Sequence, residues 1–366
     1  MFTEALSLQA SRFTISLLVR DMTPTLGVIG AGAAAAAATY IVENGSLNVE
    51  TTIFEKSRGV CGRAASRRRD DIVYDYGANY LKDAGGRVST LITNELSDGL
   101  VEVEGPIRTF DADGAVSEKV DRDERRWTYA DGITRLAKHL FEKSDAEIQH
   151  TTRIADVRYA NGWALTDADG TEHGPFDALL VNPPAPQTAV LLRETGVEAA
   201  DRVGAAAAAV AYRTVWTAVL GYSFRLDVPY YALVNADKQH DIGWISREEC
   251  KPGHVPDGAS VLIVQAGPEW SSAHYDAPPA ENISFLSDRT AAIIGNDDLA
   301  TPDWSDHQGW RYALPETGLQ DDVRAPAAEA GLYVTGDWVA GEGRLHAAVR
   351  NGLQTGEMLR SFLRDE

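Results

Sequence analysis

Two glycines near the start of the chain have the spacing of a phosphate-binding turn. Gly30 directly follows an apolar stretch, residues 26–29. Gly32 lies at the start of an alanine-rich stretch that begins at Ala31. Gly30 permits a tight turn, Gly32 leaves the backbone open to a pyrophosphate, and Ala35 stands where a third glycine is usual. The N–H groups and the positive dipole end of a following helix favour an anion. The motif therefore predicts a dinucleotide site.

An acidic residue follows at the distance that such a site requires. Glu55 ends a stretch rich in β-branched and aromatic residues, 49–54, about 25 residues after Gly30. A carboxylate at this point can accept hydrogen bonds from the hydroxyls of an adenosine ribose. Its charge disfavours a 2′-phosphate, which argues against NADP as the bound cofactor.

A second glycine turn distinguishes FAD from NAD. Cys61, Gly62 and Arg63 follow Glu55 closely. A glycine turn with a guanidinium can clamp a pyrophosphate through bidentate, charge-assisted hydrogen bonds. An ordinary NAD domain has no need of this second loop, so we expect FAD. The next three arginines, residues 67–69, are interpreted as a solvated basic cluster.

A third motif lies near the other end of the chain. An apolar stretch leads to Gly336 and Asp337, and a helix is expected to open near Leu345. Asp337 can bond the ribitol hydroxyls of a flavin, and the helix N-terminus can stabilise negative charge at the pyrimidine edge of the ring. A cofactor held from both ends of the chain must be long, as FAD is.

Taken together, these motifs resemble those of the FAD-dependent amine oxidase superfamily and, within it, the renalase-like oxidoreductases. The resemblance runs from Met22 onward. Residues 55–67 are similar to that family's acid, Gly-Gly-Arg and small-residue pattern, and residues 74–80 to its Asp-x-Gly-Ala-Gln-Tyr segment. Further similar stretches are residues 131–133, 184–187, 310–313 and 336–337.

The resemblance implies a set of FAD contacts. Ile154 stands where the family's backbone often contacts adenine, and Asn79 replaces a Gln or His beside the flavin. Cys61 replaces a glycine, but its loop should lie by the pyrophosphate, away from the ring methyl, so we expect non-covalent FAD. The predicted cofactor-binding residues are Gly30, Gly32, Ala34, Glu55, Lys56, Gly62, Arg63, Asn79, Tyr80, Ile154, Gly336, Asp337 and Leu345.

The expected function is hydride transfer from a small reduced substrate to the flavin, with O2 as acceptor and H2O2 as product. The renalase resemblance implies aberrant isomers of NAD(P)H as substrate. Alternatives are amine oxidation, a carotenoid or lipid desaturase with a long apolar channel, and a flavin-binding protein without catalysis. We assign no catalytic residue. Aromatic residues that could line the pocket or belong to the core are Trp127, Tyr129, Tyr230, Tyr231, Trp244 and Trp310.

The elements that position these motifs follow from apolar periodicity. Residues 26–29, a helix over 31–44 and residues 49–54 form a βαβ unit. A helix is predicted over 131–143 with Asp131 as N-cap, and a β-meander over 153–159, 163–167 and 178–182. The final predicted elements are a strand over 332–335 and a helix over 344–363.

The expected fold class is α/β: a Rossmann-like FAD-binding domain of the amine oxidase and glutathione reductase type, interleaved with a mixed-sheet α+β substrate domain. The predicted FAD-binding domain collects residues 22–80, 128–190 and 305–366. The predicted substrate domain collects residues 81–127 and 191–304. Residues 1–21 are expected to be a disordered or loosely docked extension, or to precede the true start at Met22.

Composition narrows the function classes. With 34 Lys and Arg against 54 Asp and Glu, the net charge is −20, which disfavours nucleic acid and fits a halophilic protein. The alternative is an ordinary acidic enzyme. The two cysteines and eight histidines lack metal-ligand spacing, so no metal is expected. No stretch is apolar enough for a membrane span and no signal peptide opens the chain, so we expect a cytoplasmic protein.

Overall fold

The computed structural model describes residues 23–122 and 124–365. The predicted extension, residues 1–21, lies outside the described residues. Within the described residues, none of the helices is both long and apolar enough to cross a membrane.

The strands carry the sheets of both predicted domains. In chain order they are β1 (Thr25–Ile29), β2 (Glu50–Glu55), β3 (Ser66–Arg69), β4 (Ile72–Asp75), β5 (Leu81–Lys82), β6 (Leu100–Glu102), β7 (Ile107–Phe110), β8 (Val116–Arg122), β9 (Arg126–Tyr129), β10 (Glu147–His150), β11 (Ile154–Tyr159), β12 (Trp163–Asp167), β13 (Glu172–Phe176), β14 (Ala178–Val181), β15 (Tyr212–Tyr222), β16 (Ala232–Asn235), β17 (Ile242–Arg247), β18 (Ser260–Ala266), β19 (Trp304–Pro315) and β20 (Leu332–Val334).

The helices cover the faces of these sheets. They are α1 (Ala33–Glu43), α2 (Gly86–Thr90), α3 (Arg135–Glu142), α4 (Ala185–Leu191), α5 (Glu198–Ala208), α6 (Pro268–Ala273), α7 (Pro279–Ile294), α8 (Asp321–Ala328), α9 (Asp337–Ala340) and α10 (Leu345–Asp365). A π-helical turn, Leu91–Glu95, continues α2, and short 3₁₀ turns span Glu248–Cys250 and Asp297–Ala300.

A parallel five-stranded sheet in the order β10-β2-β1-β14-β20 confirms the Rossmann-like half of the expected fold. Its central strands are almost wholly apolar because both faces are covered, one by α1, α3 and α10 and the other by the strands β11–β13 together with α5 and α8. Since the strands are parallel, their carboxyl ends meet at one edge. Glu55 ends a strand at this edge, and Gly30, Asn182 and Gly336 follow strands there, where ligands bind in open α/β sheets.

A mixed seven-stranded sheet forms the second layer, in the order β19-β15-β18-β17-β16-β7-β8. One face packs against α6 and α7 through a core that includes Trp216, Leu220 and Leu262. The other face meets the β3–β4 hairpin through Val219, Ile263 and their neighbours. The sheet therefore presents this second face to the motif-bearing loops.

Two predicted elements differ from the structure. The third strand of the meander is β13, whereas β14, predicted to end the meander, lies in the parallel sheet between β1 and β20. The helix predicted from Asp131 begins at Arg135. Its N-cap position is occupied by Thr134, and the Asp131 carboxylate pairs with Arg68 at 2.7 Å. Local periodicity identifies a strand but not the sheet that it joins.

The predicted domain boundaries remain a prediction, and two observations bear on them. β19, assigned by the prediction to the FAD-binding domain from residue 305, lies at the edge of the seven-stranded sheet. Leu81, Val88 and Ile92, assigned to the substrate domain, pack in one core with α1 and α3. Each half of the molecule therefore includes chain segments that the prediction assigned to the other half.

Candidate cofactor site

The first glycine turn has the geometry that its sequence predicted. Gly30 has a φ of 89°, a left-handed conformation that favours glycine, and its N–H bonds the Phe54 carbonyl at 2.8 Å. Gly32 caps the N-terminus of α1 in extended conformation. The turn thus leads from the carboxyl edge of the parallel sheet straight into a helix N-terminus.

Glu55 lies directly against this turn. The residue is only 7% exposed. One carboxylate oxygen accepts the Ala31 N–H at 2.8 Å, and the other accepts the Ser57 N–H at 2.8 Å. A carboxylate oxygen can accept more than one hydrogen bond. Glu55 is therefore held rigidly by the backbone while keeping acceptor capacity for ligand hydroxyls.

The second glycine turn packs beside the first. The Cys61 N–H bonds the Ala31 carbonyl at 2.8 Å, and Gly32 pairs with Cys61 in an isolated parallel bridge. A side chain on Gly62 would point at the Cα of Gly32, 3.8 Å away. The two turns therefore form one glycine-lined cradle that side chains would fill.

Cys61 occupies a position better suited to glycine. Its φ is 79°, in the left-handed region where a non-glycine residue is strained. The thiol is buried, and this burial raises its pKa to about 12. The thiol consequently stays protonated at neutral pH and is a poor nucleophile. This supports the expectation of non-covalent FAD.

The two ends of the chain meet at Arg63 and Asp337. Their side chains form a salt bridge of 2.6 Å, although 274 positions separate them. The Arg63 guanidinium also donates to the carbonyls of Tyr312 at 3.1 Å and Ala313 at 2.8 Å. Arg63 was predicted to clamp a pyrophosphate, but these contacts aim it at Asp337, the residue predicted to bind the ribitol.

Asn182, which sequence reasoning missed, joins the two motif regions. Its side-chain oxygen accepts the Gly32 N–H at 3.1 Å, and its amide donates to the Thr335 carbonyl at 3.0 Å. Asn182 directly follows a buried strand and precedes two prolines. A polar residue directly after a buried parallel strand was the available signal.

A side chain of α10 holds the C-terminal motif at Gly336 and Asp337 in place. Gly336 has a φ of 140°, and its N–H bonds the Asn351 side chain at 3.0 Å. Leu345 is the half-buried first residue of α10, as the motif predicted. The next residue, His346, is buried, and burial lowers the pKa of its imidazole despite the nearby Glu342. The helix N-terminus therefore carries a neutral imidazole at neutral pH.

Residues 76–80 lie between the cradle and the seven-stranded sheet. The Ala78 N–H bonds the Arg63 carbonyl at 3.0 Å, and a Cβ on Gly77 would overlap that same oxygen. Asn79 accepts the Ser246 hydroxyl at 3.1 Å. Tyr80 packs beside Trp244 with ring centroids 6.1 Å apart. The segment predicted to flank the flavin therefore touches both halves of the molecule.

The remaining predicted cofactor-binding residues lie near the two glycine turns and differ in how deeply they are buried. Exposed Lys56 bonds Gln187 at 3.2 Å. Buried Ile154 begins β11, just after Thr152, whose N–H bonds the Glu55 carbonyl at 2.9 Å. Ala34 is buried in the first turn of α1.

The aromatic candidates divide into two groups. Trp244 and Trp310 are half-buried on the sheet face that meets residues 76–80. The others are buried in hydrophobic cores: Trp127, Tyr129, Tyr230 and Tyr231.

A fully buried charge cluster, also missed from the sequence, anchors the start of this segment. Lys251 pairs with Asp75 at 3.0 Å and with Glu248 at 2.7 Å, and His254 contacts Glu248 at 2.8 Å. The other His254 nitrogen contacts the Tyr129 carbonyl at 2.9 Å. Both ring nitrogens face acceptors, so the imidazole carries both protons and the quartet of Asp75, Glu248, Lys251 and His254 is electrically neutral.

The quartet resembles a metal site in composition only. Ligand atoms of Asp75, Glu248 and His254 lie within 4.8 Å of one another, but the Lys251 ammonium lies among them and supplies the cation. A buried charge of this kind is tolerable only when it is paired. The quartet therefore ties the β3–β4 hairpin to the loop after β17.

Solved structures share this architecture. A protoporphyrinogen oxidase structure from Exiguobacterium sp. 255-15 aligns with a TM-score of 0.75 at 14% identity, covering 93% of this chain and 99% of that one. A putrescine oxidase bound to putrescine aligns with a TM-score of 0.69 at 12% identity, covering 91% and 99%. At these identities the likeness shows the fold.

Comparison of the chain with known protein families identifies the class of protein. Residues 28–112 match the NAD(P)-binding Rossmann-like domain, and residues 120–357 match the flavin containing amine oxidoreductases. The glycine cradle, the buried carboxylate of Glu55 and the N-terminus of α10 fit FAD, and the protein is an FAD-dependent oxidoreductase. The chain belongs to the flavin containing amine oxidoreductase family.

Proposed function

We propose that this enzyme oxidises a small reduced substrate of the renalase type, an isomer of NADH or NADPH whose hydride lies on an unusual ring carbon. Dioxygen is the proposed electron acceptor and hydrogen peroxide the product. The sequence resemblance motivates the substrate, and the charge distribution of the sheet face opposite residues 76–80 supports it.

That face offers little to a cationic amine. In β15 to β19 its residues include a single carboxylate, that of Asp306. This carboxylate pairs with Arg67 at 2.7 Å and accepts the Tyr74 hydroxyl at 2.7 Å. Burial raises the pKa of Asp306, but the contacts with Tyr74 and Arg67 outweigh burial and lower it overall. An ammonium ion would find no free carboxylate on these strands, whereas an uncharged dihydropyridine needs none.

The proposed reaction balances without a protein base. The dihydropyridine loses a hydride and becomes an aromatic pyridinium, and dioxygen with one proton leaves as hydrogen peroxide. Bound FAD supplies the two-electron relay. The protein orients the substrate and excludes water, which is the main requirement of a hydride transfer.

We assign cofactor contacts to the residues of the cradle. Glu55 binds the adenosine ribose, and the N-terminus of α1, which begins directly after the turn at Gly30 and Gly32, faces the pyrophosphate. Asp337, oriented by Arg63, binds the ribitol. The helix N-terminus at Leu345 faces the pyrimidine edge of the ring.

The proposed setting is a salt-adapted cytoplasm. The net charge of −20 and the low lysine content motivate it. The proposed domain division places the substrate site between the parallel sheet and the seven-stranded sheet.

Anaerobic mixing tests the substrate. The holoenzyme is mixed with isomers of NADH, with ordinary NADH and with putrescine while the flavin absorbance is followed. We expect bleaching by an isomer and peroxide release when oxygen is admitted. Bleaching by putrescine alone would establish an amine oxidase instead.

A further inference from the structure

An open cavity of about 530 Å³ lies beside β19, the edge strand of the seven-stranded sheet. Its volume falls within the range of small-molecule sites, about 300–1,000 Å³. The loop after β2, strand β3 and strand β19 contribute its lining, and none of the lining residues is among those that we assign to FAD. They are Arg58, Arg67, Asp306, His307, Gln308 and Gly309.

Arg67 is held at this cavity by fixed contacts. Its guanidinium donates to the Asp306 carboxylate at 2.7 Å and to the side-chain oxygen of Gln308 at 2.9 Å. Burial lowers the pKa of Arg67, but the hydrogen bond with Asp306 and the nearby negative charge outweigh burial and raise it overall. Arg67 therefore stays charged, and the remaining N–H groups of its guanidinium are available to a ligand.

Arg58 supplies a charge that the cavity does not neutralise. It is exposed, and no carboxylate pairs with it in the part of the chain that the structure describes. The one carboxylate of the lining, Asp306, is engaged by Arg67 and by the Tyr74 hydroxyl at 2.7 Å. The lining thus has two guanidinium groups against one carboxylate, although the chain has a net charge of −20. Guanidinium groups match the geometry of phosphate oxygens, so the cavity suits a phosphate.

The cavity adjoins the segment proposed to flank the flavin. The Arg67 guanidinium lies over the Tyr76 ring, 4.1 Å from its centroid, and Tyr76 begins that segment. The Tyr76 ring stacks on Trp310 of β19 with centroids 5.4 Å apart. Gln308 stands two residues before Trp310, on the same face of the strand. A ligand whose ring lies at the flavin can therefore extend a charged tail into the cavity.

We propose that this cavity binds the pyrophosphate of a dinucleotide substrate, with Arg58 and Arg67 donating to the phosphate oxygens. The inference rests on the proposed function and names the part of the substrate that is recognised away from the reacting ring. Binding energy from such a remote group holds the ring in position for hydride transfer. An amine without a phosphate would gain nothing from these two residues.

The test compares two ligands that differ only in one phosphate. The holoenzyme is titrated with nicotinamide mononucleotide and with nicotinamide riboside, which both carry the pyridinium ring of the proposed product. Binding is followed through the flavin absorption spectrum, which needs no turnover. We expect Arg58→Gln to weaken binding of the mononucleotide about three- to tenfold while leaving the riboside unaffected. The affinity for FAD should stay unchanged.

Arg69→Gln is the matched control. It removes the same charge from β3, but Arg69 lies over the Trp304 ring, 5.0 Å from its centroid, and is not part of the cavity lining. It should bind both ligands as the wild type does.

Three results would overturn the inference, and they separate it from the proposed function. If Arg58→Gln weakens mononucleotide binding no more than Arg69→Gln does, the pyrophosphate assignment is wrong while the proposed function stands. If Arg58→Gln weakens FAD binding instead, the cavity belongs to the cofactor and the assignment is equally wrong. If no isomer of NADH reduces the wild-type flavin, the proposed function fails and the assignment fails with it.

Discussion

The cofactor assignment depends on individual side chains, and the role of Glu55 can be tested most directly. Its carboxylate accepts two backbone N–H groups, and we propose that it also binds the ribose. Changing Glu55 to Gln removes the charge and places an amide against one of these donors. A hydrogen bond to a charged group contributes about 1.5–3 kcal/mol against about 1 for a neutral one. FAD binding should therefore weaken a few-fold to about thirtyfold.

The measurement is a titration of apoprotein with FAD, followed by turnover at saturation. Glu50→Gln is the control, because Glu50 is exposed at the start of the same strand. Turnover at saturating FAD should stay near normal for Glu55→Gln, since the ribose is far from the flavin ring. Unchanged FAD affinity would contradict the ribose assignment.

The buried quartet makes a second prediction at this scale. Replacing Lys251 with Met leaves Asp75 and Glu248 buried without their cation. Removing one partner of a buried ion pair typically costs about 3–5 kcal/mol. Urea unfolding should show this loss for Lys251→Met, and a smaller one for Lys82→Met, whose salt bridge with Glu124 is exposed. Equal losses would mean that the quartet contributes no more than a surface pair.

The same quartet predicts a pH dependence of stability. Burial lowers the pKa of His254, but Glu248 and Asp75 outweigh burial and raise it above 6.5. Its stabilisation is complete below 6.5 and is lost as the pH rises through the folded-state value. Burial raises the pKa of Asp75, but Lys251 and His254 outweigh burial and lower it below 3.8, so its stabilisation is lost only in stronger acid.

Melting temperatures across this pH range, for the wild type and His254→Gln, provide the check. The wild type should lose stability as the pH rises above 6.5, and the variant should lack that decline. A decline of the same size in both proteins would assign it to other groups.

The types and spacing of residues predicted much of the cofactor site, but they did not predict which residues contact one another there. Gly30, Glu55 and Gly336 were found because the spacing of glycine and acid along one βαβ unit is local information. Asn182 and the quartet bring together residues more than a hundred positions apart, and no local pattern records such contacts. The Arg63–Asp337 salt bridge shows the same limit, because both residues were found but their mutual contact was not.

At the scale of elements, α1 and α10 pack unusually closely. Gly352 and Gly356 of α10 face the alanine-rich α1, and a Cβ on Gly352 would lie 2.2 Å from the Ala34 carbonyl oxygen. The alanines of α1 thus serve close helix packing next to the dinucleotide turn. This contact explains why the helix between the first two strands contains so few large residues.

Gly352→Ala should therefore destabilise the protein, although alanine is the better helix former. Overpacking in a tight core costs about 1–3 kcal/mol, and the displaced turn should also bind FAD more weakly. Gln354→Ala is the control, because Gln354 is exposed on the same helix. Thermal unfolding and FAD titration of both variants measure the effect. A Gly352→Ala protein with wild-type stability would contradict the close contact.

Elements with strong local periodicity were predicted well, and sheet membership was not. The βαβ unit, β20 and α10 lie within two residues of their predicted bounds. The short strands β3, β4 and β13 were missed because each is short, polar or interrupted by glycine and proline. Their pairing depends on partners that only the folded chain brings together.

At the scale of the whole molecule, the charge predicts a response to salt. A net charge of −20 implies self-repulsion, which salt screens over about 10 Å at 0.1 M. The melting temperature should rise between low and molar sodium chloride, as followed by calorimetry. A flat or falling melting temperature would contradict the proposed salt adaptation.

The central claim is that the cradle between the two ends of the chain holds FAD without a covalent link. The most direct measurement is to denature the purified protein, remove the precipitate and identify the released flavin by mass. We predict a yellow protein that releases intact FAD in a one-to-one ratio. A colourless protein that cannot be reconstituted with FAD would contradict the claim, and flavin that remains with the precipitate would contradict its non-covalent part.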